Sequence, residues 1–305
     1  MPPPPDLTFR MAERATIDTL RTKLTTRASR PAIAMAAHNP MSAKLVAEAG
    51  GFDAIWASGF ELSASYAVPD ASIVSPSIHL ENTRAMSEVQ DLPIIADLDT
   101  GFGNAINLAY AVPKYEAAGI TAIVIEDKTF PKDSSLRVDG RQTLVSIEEF
   151  QGKIAAAKDL GSMLVIARTE ALIAGLGQDE ALSRGLAYEK AGADAILIHS
   201  KQKTPDEILS FCRAWTGKVP LVIVPTSYPQ LSFADIARLT DGKVGLVICG
   251  NHAIRAAVAG MRRAFRKIME EGGISGVEEE VASVSEIFEL QGNKEMRELE
   301  RKYLR

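Results

Sequence analysis

Two aspartates in "DLDTGFGNA" have the spacing that a metal site needs. Asp97 and Asp99 lie two residues apart, so on a β-strand both carboxylates would point to the same side. Glu126, in "TAIVIED", follows another apolar run and would add a third carboxylate from the adjacent strand. Carboxylates that close repel each other unless a cation lies among them, and a site made only of oxygens suits Mg²⁺ or Mn²⁺. The spacing predicts a divalent-cation site, with solvated loop acids as the alternative.

Basic and aromatic residues follow other apolar runs in the same way. Arg168, in "MLVIART", could hold a carboxylate or phosphoryl group through paired hydrogen bonds, or form a structural ion pair with Glu126 or Glu170. His199, in "DAILIHS", could contact an anion or transfer a proton, with a buried structural histidine as the alternative. Trp56 precedes a Ser-Gly turn whose backbone N–H groups could stabilise an oxyanion, although core packing is the more usual role of tryptophan.

These residues follow eight short apolar runs that alternate with segments of helical period. We predict strands at residues 32–37, 52–58, 93–99, 121–127, 163–169, 194–200, 220–226 and 244–250. Near-continuous apolar strands that alternate with helices are typical of a parallel sheet covered on both faces. Eight such units in about 250 residues favour a (β/α)8 TIM barrel, in which polar side chains at the carboxyl ends of the strands meet at one mouth.

Helix boundary signals lie between the strands. "SIEEFQGKIAAAKDLG" and "TPDEILSFCRAWTG" each open with a hydroxyl side chain that can cap a helix and close with glycine. After the eighth strand, the chain predicts extra helices that pack on a neighbouring subunit or cap the barrel bottom. We expect an N-terminal extension at residues 1–29, beginning with a mobile Pro-rich stretch, and a single barrel domain at residues 30–305 that includes the extra helices.

Composition excludes several classes of protein. The net charge of -5 over 305 residues argues against a nucleic-acid or membrane-surface partner. Cys212 and Cys249 are far apart, which favours a reducing compartment over disulfides or a zinc site. The sequence has no apolar stretch of about 18 residues, as a membrane span needs, and no secretory signal pattern at its start. We expect a cytoplasmic protein that acts on a small molecule.

Several long stretches together resemble the phosphoenolpyruvate mutase and isocitrate lyase superfamily. They are "WASGFELSASYAVPDAS", "DLDTGFGNA", "EDKTFPKDSS", "ARTEALIAG" and "LIHSKQKTPDEI". The resemblance runs from about Arg30 to the C-terminus and implies a TIM barrel whose last helix is swapped between subunits of a homodimer or homotetramer. It also implies one Mg²⁺ per subunit, which Mn²⁺ or Co²⁺ could replace. Asp97 would bind the metal directly, and its water ligands would be held by Asp70, Asp99 and Glu126.

The same resemblance implies the substrate contacts. The pyruvoyl part would be flanked by three residues that follow one another closely: Trp56, Ser58 and Gly59. The backbone of the last two would form the oxyanion hole. Substrate oxygens would be contacted by Arg168 and His199. A mobile gate over the phosphoryl group, spanning residues 129–141, would contribute Lys132, Ser134 and Ser135.

Position 134 separates the reactions of this superfamily. Its carbon–carbon lyases resemble "KKCGH" at the gate, with a catalytic cysteine, whereas this chain has "EDKTFPKDSS". Mutases have asparagine at the position of Ser134 and members that hydrolyse phosphonopyruvate have threonine, so serine departs from both while keeping the hydroxyl. We expect Mg²⁺-dependent hydrolysis of the C–P bond of 3-phosphonopyruvate to pyruvate and phosphate. The alternatives are a phosphoenolpyruvate phosphonomutase, an oxaloacetate decarboxylase on the same scaffold, and a non-catalytic barrel that binds a small anion.

Overall fold

A computed structural model describes residues 17–26, 28–137 and 139–304. The Pro-rich start, predicted to be mobile, lies outside the described residues. Eight parallel strands close into a barrel in sequence order, with the last strand paired to the first. The (β/α)8 prediction is therefore confirmed.

All eight predicted strands are present, each within its predicted range. They are β1 (Ala32–Ala37), β2 (Ala54–Ala57), β3 (Ile94–Asp97), β4 (Ala122–Glu126), β5 (Leu164–Thr169), β6 (Ala195–Ile198), β7 (Leu221–Ile223) and β8 (Val244–Cys249). The largest difference is at β7, predicted to reach residue 226, because a 3-10 turn at Pro225–Ser227 ends the strand early.

Helices alternate with the strands along the chain, and within the described residues three further helices follow the eighth strand. The first helix, α1, covers residues 17–25. Those that follow are α2 (Pro40–Ala49), α3 (Gly59–Ser65), α4 (Pro76–Ser87), α5 (Ala105–Ala117), α6 (Ile147–Leu160), α7 (Gly177–Lys190), α8 (Asp206–Ala214), α9 (Phe233–Leu239), α10 (His252–Glu271), α11 (Val284–Leu290) and α12 (Asn293–Tyr303).

One of the two predicted helix starts is correct. Ser146 caps α6 through its side chain, as predicted. At α8 the prediction was wrong, because the capping position is Pro205, and the Thr204 hydroxyl donates instead to the Asp206 carboxylate at 2.9 Å. The same helix ends at Ala214, and Trp215, not the predicted glycine, is its C-terminal cap, with its N–H donated to the Phe211 carbonyl.

Strand side chains alternate between two apolar clusters, one inside the barrel and one beneath the helices. The inner cluster includes one residue from each of four neighbouring strands: Ile95, Val124, Ile166 and Leu197. Two residues further along each segment, and so on the same inward face, stand four polar side chains: Asp97, Glu126, Arg168 and His199. The alternation of side chains along each strand therefore places these four predicted site residues at the barrel mouth.

Helix α1 closes the opposite end of the barrel, within the segment predicted as an N-terminal extension. Leu20 and Leu24 are buried in the inner cluster, and Lys23 pairs with Asp53, directly before β2, at 2.7 Å. A Cβ atom on Gly245, at the start of β8, would lie 2.1 Å from the Leu24 carbonyl oxygen. Only glycine lets α1 approach the strand this closely.

Residues 253–305 form a second compact unit that contains the predicted extra helices. Within it, α11 packs on α12, and Lys267 pairs with Glu280 at 2.6 Å. Large apolar side chains of this unit are exposed in the single chain: Met261, Phe265, Met269, Phe288 and Leu299. The swap of the last helix, the packing of these helices and the single-domain organisation of residues 30–305 stay predictions.

The two cysteines and the helices can be compared with the expectations from composition. Cys212 and Cys249 are both free, and burial raises the pKa of the Cys212 thiol to about 12. Among the described helices, none combines the length and the apolar character needed to cross a membrane.

Candidate active site

A cavity of about 60 Å³ lies at the carboxyl ends of the strands. The inward-facing positions of the strand segments contribute four of its predicted lining residues: Trp56, Asp97, Arg168 and His199. The following loops contribute five more: Ser58, Asp70, Lys132, Ser134 and Ser135. The other three predicted residues contact these directly: Gly59, Asp99 and Glu126. The fold therefore brings the whole predicted set together, although the role of each residue stays a prediction.

Asp97 lies at the centre of the acidic side of the cavity. One of its carboxylate oxygens accepts the Gly59 N–H at 3.3 Å, and the other accepts the Asp99 N–H at 3.2 Å. The Ser58 N–H donates to the Ala37 carbonyl at 3.3 Å. Both backbone donors predicted for an oxyanion hole therefore have long hydrogen bonds within the protein, which an oxyanion would have to replace.

Lys132 lies between two of the predicted metal-site carboxylates. Its ammonium is 3.0 Å from Asp70 and 2.6 Å from Asp99, and the side chain is buried. Burial alone would lower the pKa of Lys132, but Asp70 and Asp99 raise it well above its ordinary value. The lysine is therefore a cation that holds its gate segment against the acidic cluster.

The acidic cluster has oxygen donors suited to a divalent cation. Among the described residues, no three carboxylate, imidazole or thiol groups enclose a metal position by themselves. A cation here would keep several water ligands, which is the coordination that Mg²⁺ prefers. The Glu126 Oε1 atom is buried without a hydrogen-bond partner in the described part of the chain, and so is free to accept from such a water. The donor set fits a hydrated cation held directly by few protein oxygens.

Glu126 shows the electrostatic effect of this arrangement. Burial raises its pKa to about 7, against the opposing influence of Lys128 and Arg168. The Arg168 Nε atom is 3.3 Å from Glu126 Oε2. A divalent cation nearby would add positive charge and favour the ionised carboxylate.

Arg168 and His199 together present donors to the cavity. The Arg168 Nη2 group lies 3.1 Å from His199 Nδ1, and Glu170 Oε1 lies farther from the same atom, at 3.5 Å. Because arginine can only donate, Nδ1 accepts in the shorter of these two contacts. Burial lowers the pKa of His199, so the ring is neutral and its proton is on Nε2. That Nε2 atom has no partner among the described residues, and neither has Arg168 Nη1. Both groups remain available to a substrate oxygen.

Glu170 and Lys128 are the main buried charges to which the sequence did not assign a site role. Glu170 Oε1 is 2.6 Å from Arg168 Nε, and Glu170 Oε2 is 2.9 Å from Lys128 Nζ. Burial would raise the pKa of Glu170, but Arg168 and Lys128 hold it well below its ordinary range. Every second side chain of a strand faces the barrel interior. Lys128 lies two residues after Glu126 and Glu170 lies two residues after Arg168, so this alternation could have identified Lys128 and Glu170 from the sequence.

Asp127, one residue after Glu126, faces away from the mouth. It accepts hydrogen bonds from Tyr188 at 2.7 Å and Arg184 at 3.1 Å, both on α7, and from the Glu170 N–H at 2.9 Å. It therefore fixes the strand ends behind the site and does not line the cavity.

The predicted gate lies over the cavity. The Asp133 carboxylate accepts the N–H groups of Ser134 and Arg141, each at 2.9 Å, which folds the segment on itself. The Ser134 hydroxyl lines the cavity, and no hydrogen bond to it occurs among the described residues. Ser135 is buried below, where its hydroxyl meets Lys128. The two serines, adjacent in sequence, therefore have different surroundings.

The remaining wall of the cavity was given no site role from the sequence, although Thr226 and Asn251 are polar residues at the carboxyl ends of predicted strands. It is formed by apolar Phe60, Leu136 and Val224, by polar Thr226 and Asn251, and by Gly250. Phe60 and Leu136 lie in loop or helix-start segments, where an apolar residue carries no recognisable chemical pattern, so only the fold identifies them.

Comparisons with known proteins identify the family of the chain. A family model described as phosphoenolpyruvate phosphomutase matches residues 20–269. Phosphonopyruvate hydrolase of Variovorax sp. (strain Pal2) is 66% identical over 275 residues, 89% of this chain and 94% of the relative. Phosphoenolpyruvate phosphomutase of Tetrahymena pyriformis is 45% identical over 273 residues, 88% of this chain and 90% of the relative.

Among solved structures, a phosphonopyruvate hydrolase in complex with oxalate and Mg²⁺ superposes with a TM-score of 0.88 at 61% sequence identity. The match covers 95% of this chain and 99% of that chain. The family expected from the sequence is confirmed by the family model, the curated relatives and the structural match. The chain belongs to the phosphoenolpyruvate phosphomutase family.

Proposed function

We propose that the chain hydrolyses the C–P bond of 3-phosphonopyruvate to pyruvate and phosphate in a Mg²⁺-dependent reaction. The observation that carries the proposal is the cavity itself, which is lined together by Asp97 and Asp70, by the donors Arg168 and His199, and by Ser134. The 66% identity to a phosphonopyruvate hydrolase supports the same reaction.

The residues present suit a metal at the acidic side. Asp97 would bind Mg²⁺ directly, and Asp70, Asp99 and Glu126 would hold its water ligands. Bound Mg²⁺ would supply positive charge beside the pyruvoyl oxygens, where negative charge develops as the C–P bond breaks. The match to a hydrolase solved with oxalate and Mg²⁺ supports this assignment, because oxalate is a flat dianion like pyruvate enolate.

The bond changes follow from the position of the ketone. The C–P bond breaks with its electron pair on carbon, so the carbon fragment leaves as pyruvate enolate. The phosphoryl group takes the oxygen of water, and a proton of that water completes the methyl group of pyruvate. Arg168 Nη1 and His199 Nε2–H would bind substrate oxygens, and the buried Lys132 ammonium would add positive charge near the phosphoryl group.

Ser134 would supply the nucleophile to phosphorus. Its hydroxyl either directs the water or takes the phosphoryl group and passes it on to water. An asparagine amide at this position could hold the phosphoryl group but could not deliver a nucleophile. We therefore favour hydrolysis over the mutase reaction, in which the enolate oxygen recaptures the same group.

A direct test is product analysis with the purified protein and Mg²⁺. Pyruvate is measured with lactate dehydrogenase, phosphate is measured colorimetrically, and phosphoenolpyruvate is sought by phosphorus NMR. We expect equal amounts of pyruvate and phosphate from phosphonopyruvate, and slower or no pyruvate release from oxaloacetate. Phosphoenolpyruvate as the main product would replace the proposal with the mutase reaction, and preferential turnover of oxaloacetate would replace it with the decarboxylase.

We further propose that the chain forms a homodimer or homotetramer through a swapped C-terminal helix and acts in the cytoplasm. The exposed apolar side chains of residues 253–305 support the oligomer, and the two free cysteines support a reducing compartment. Light scattering after size exclusion should give two or four chain masses. A monomer at micromolar concentration would contradict the oligomer, and recovery in a secreted fraction would contradict the location.

A further inference from the structure

We propose that Lys128, Ser135 and Glu170 form a latch that couples closure of the gate to the orientation of Arg168. The proposal deepens the proposed function and rests on it for the role of Arg168 as a substrate contact. Lys128 and Glu170 do not line the cavity and are positioning residues; Ser135 does line it, and the latch gives it a positioning role in addition to the substrate contact expected from the sequence.

Glu170 is the fixed side of the latch. It is fully buried, and each of its carboxylate oxygens has a different partner. Oε1 accepts from Arg168 Nε at 2.6 Å, while Oε2 contacts Lys128 Nζ at 2.9 Å and accepts the hydroxyl of Ser135. A carboxylate with this many charged and polar partners in a buried place cannot rotate without leaving one of them unpaired.

Lys128 joins the fixed side to the gate. Its ammonium has three protons, and three acceptors surround it: Glu170 at 2.9 Å, the Ser135 hydroxyl at 2.6 Å and the Asp133 carbonyl at 2.9 Å. Two of these three acceptors belong to the gate. Opening of the gate would therefore break two of the three hydrogen bonds of this ammonium, which favours the closed arrangement.

Ser135 is the moving part of the latch. Its hydroxyl donates to Glu170 and accepts from Lys128 and from Arg168 Nη2, the latter at 2.9 Å. One donor and two acceptor positions are all that a hydroxyl has, so its capacity is used in full. When the gate closes, Ser135 adds one more hydrogen bond to Arg168 besides its contacts with Glu170, Glu126 and His199, and Nη1 is left for other partners.

The first test follows gate opening without any substrate. Ser135→Ala removes three of the four hydrogen bonds that hold the gate to the latch and adds no bulk. Trypsin cleavage after Arg137, identified by mass spectrometry, should become at least about tenfold faster, the factor expected for loss of one hydrogen bond to a charged group. Cleavage of the variant at the wild-type rate would overturn the latch.

A matched control separates gate opening from general loss of stability. Lys243 also donates three hydrogen bonds, to the carbonyls of Cys212, Arg213 and Trp215 at 2.8–3.0 Å, but it lies before β8, at the end of the barrel away from the mouth. Lys243→Met should lower the melting temperature and leave cleavage in the gate within about twofold of wild type. Equal acceleration of gate cleavage by both variants would also overturn the latch.

The second test asks whether Glu170 acts through Arg168. Oxalate with Mg²⁺ is titrated by calorimetry into wild type, Glu170→Gln, Arg168→Met and the double variant. In the background of the wild-type protein, Glu170→Gln should weaken oxalate binding about tenfold. In the background of Arg168→Met it should weaken binding less than about twofold, because the arginine that Glu170 positions is then missing. An equal loss in both backgrounds would show a purely structural Glu170 and refute the coupling.

The two proposals can fail separately. If the wild-type protein releases no pyruvate from phosphonopyruvate, the proposed function is wrong, whereas gate cleavage still decides whether the latch exists. If pyruvate is released and Ser135→Ala leaves gate cleavage unchanged, the function stands and the latch is wrong.

Discussion

Gly59→Ala tests the acidic cluster by adding a single methyl group. Gly59 begins α3, and an ideal Cβ atom there would lie 3.1 Å from Asp99 Oδ1 and 3.2 Å from Asp97 Oδ2. These distances are shorter than ordinary contacts between carbon and oxygen, so the two carboxylates must move by a few tenths of an ångström. The backbone of Gly59 does not require glycine, so the effect is one of space alone.

The carboxylates have little freedom to make that movement. Asp99 is held by Lys132 at 2.6 Å and by the Ser72 hydroxyl at 3.0 Å, and Asp97 accepts the N–H of Asp99 at 3.2 Å. Overpacking of a well-filled site costs about 1–3 kcal/mol. Mg²⁺ tolerates little distortion of its ligands, so we expect most of this cost to appear as a roughly 5- to 150-fold weaker Mg²⁺ affinity.

The measurement is a Mg²⁺ titration of pyruvate release, supported by calorimetric titration of Mg²⁺ with oxalate. Gly152→Ala is the matched control, because Gly152 is exposed within α6 and a Cβ there meets nothing within 4 Å. It should raise the free energy of unfolding by about 0.5–1 kcal/mol and leave Mg²⁺ affinity unchanged. Wild-type Mg²⁺ affinity in Gly59→Ala would refute the placement of the metal between these carboxylates.

Three further predictions follow from the same structure. Chelation should abolish phosphate release. Asp70→Ala should weaken Mg²⁺ affinity about 10- to 100-fold, and Asp97→Ala should weaken it more. The reverse order of the two variants in a Mg²⁺ titration would contradict the assigned roles. Ser134→Thr should keep hydrolysis, Ser134→Ala should lose most of it, and Ser134→Asn should slow it and release phosphoenolpyruvate visible by phosphorus NMR; a wild-type rate in Ser134→Ala would show that the hydroxyl has no chemical role. Because burial raises the pKa of Cys212 to about 12, only about one thiol in ten thousand is ionised at pH 8, and a disulfide reagent should label it only after unfolding; rapid labelling of the native protein would count against its burial.

The sequence predicted the barrel because its signals are local and repeated. Each strand is a short apolar run and each helix has its own period, so eight units could be counted without knowledge of their contacts. The prediction that Thr204 caps α8 was wrong for a local reason. The Thr204 hydroxyl donates to the Asp206 carboxylate two residues away, and Pro205, which suits the start of a helix, takes the capping position.

By itself the sequence determined which side chains enter the barrel mouth, because the alternation along a strand needs no knowledge of the partner strand. Asp97, Glu126 and Arg168 are assigned in this way. Only the tertiary structure decided what each of them meets there. Lys132 reaches Asp70 across 62 positions of sequence (132 minus 70), and that pairing depends on how two loops cross above the barrel. Long-range contacts between loops follow from the packing of all eight units at once, and no local pattern of residue types specifies them.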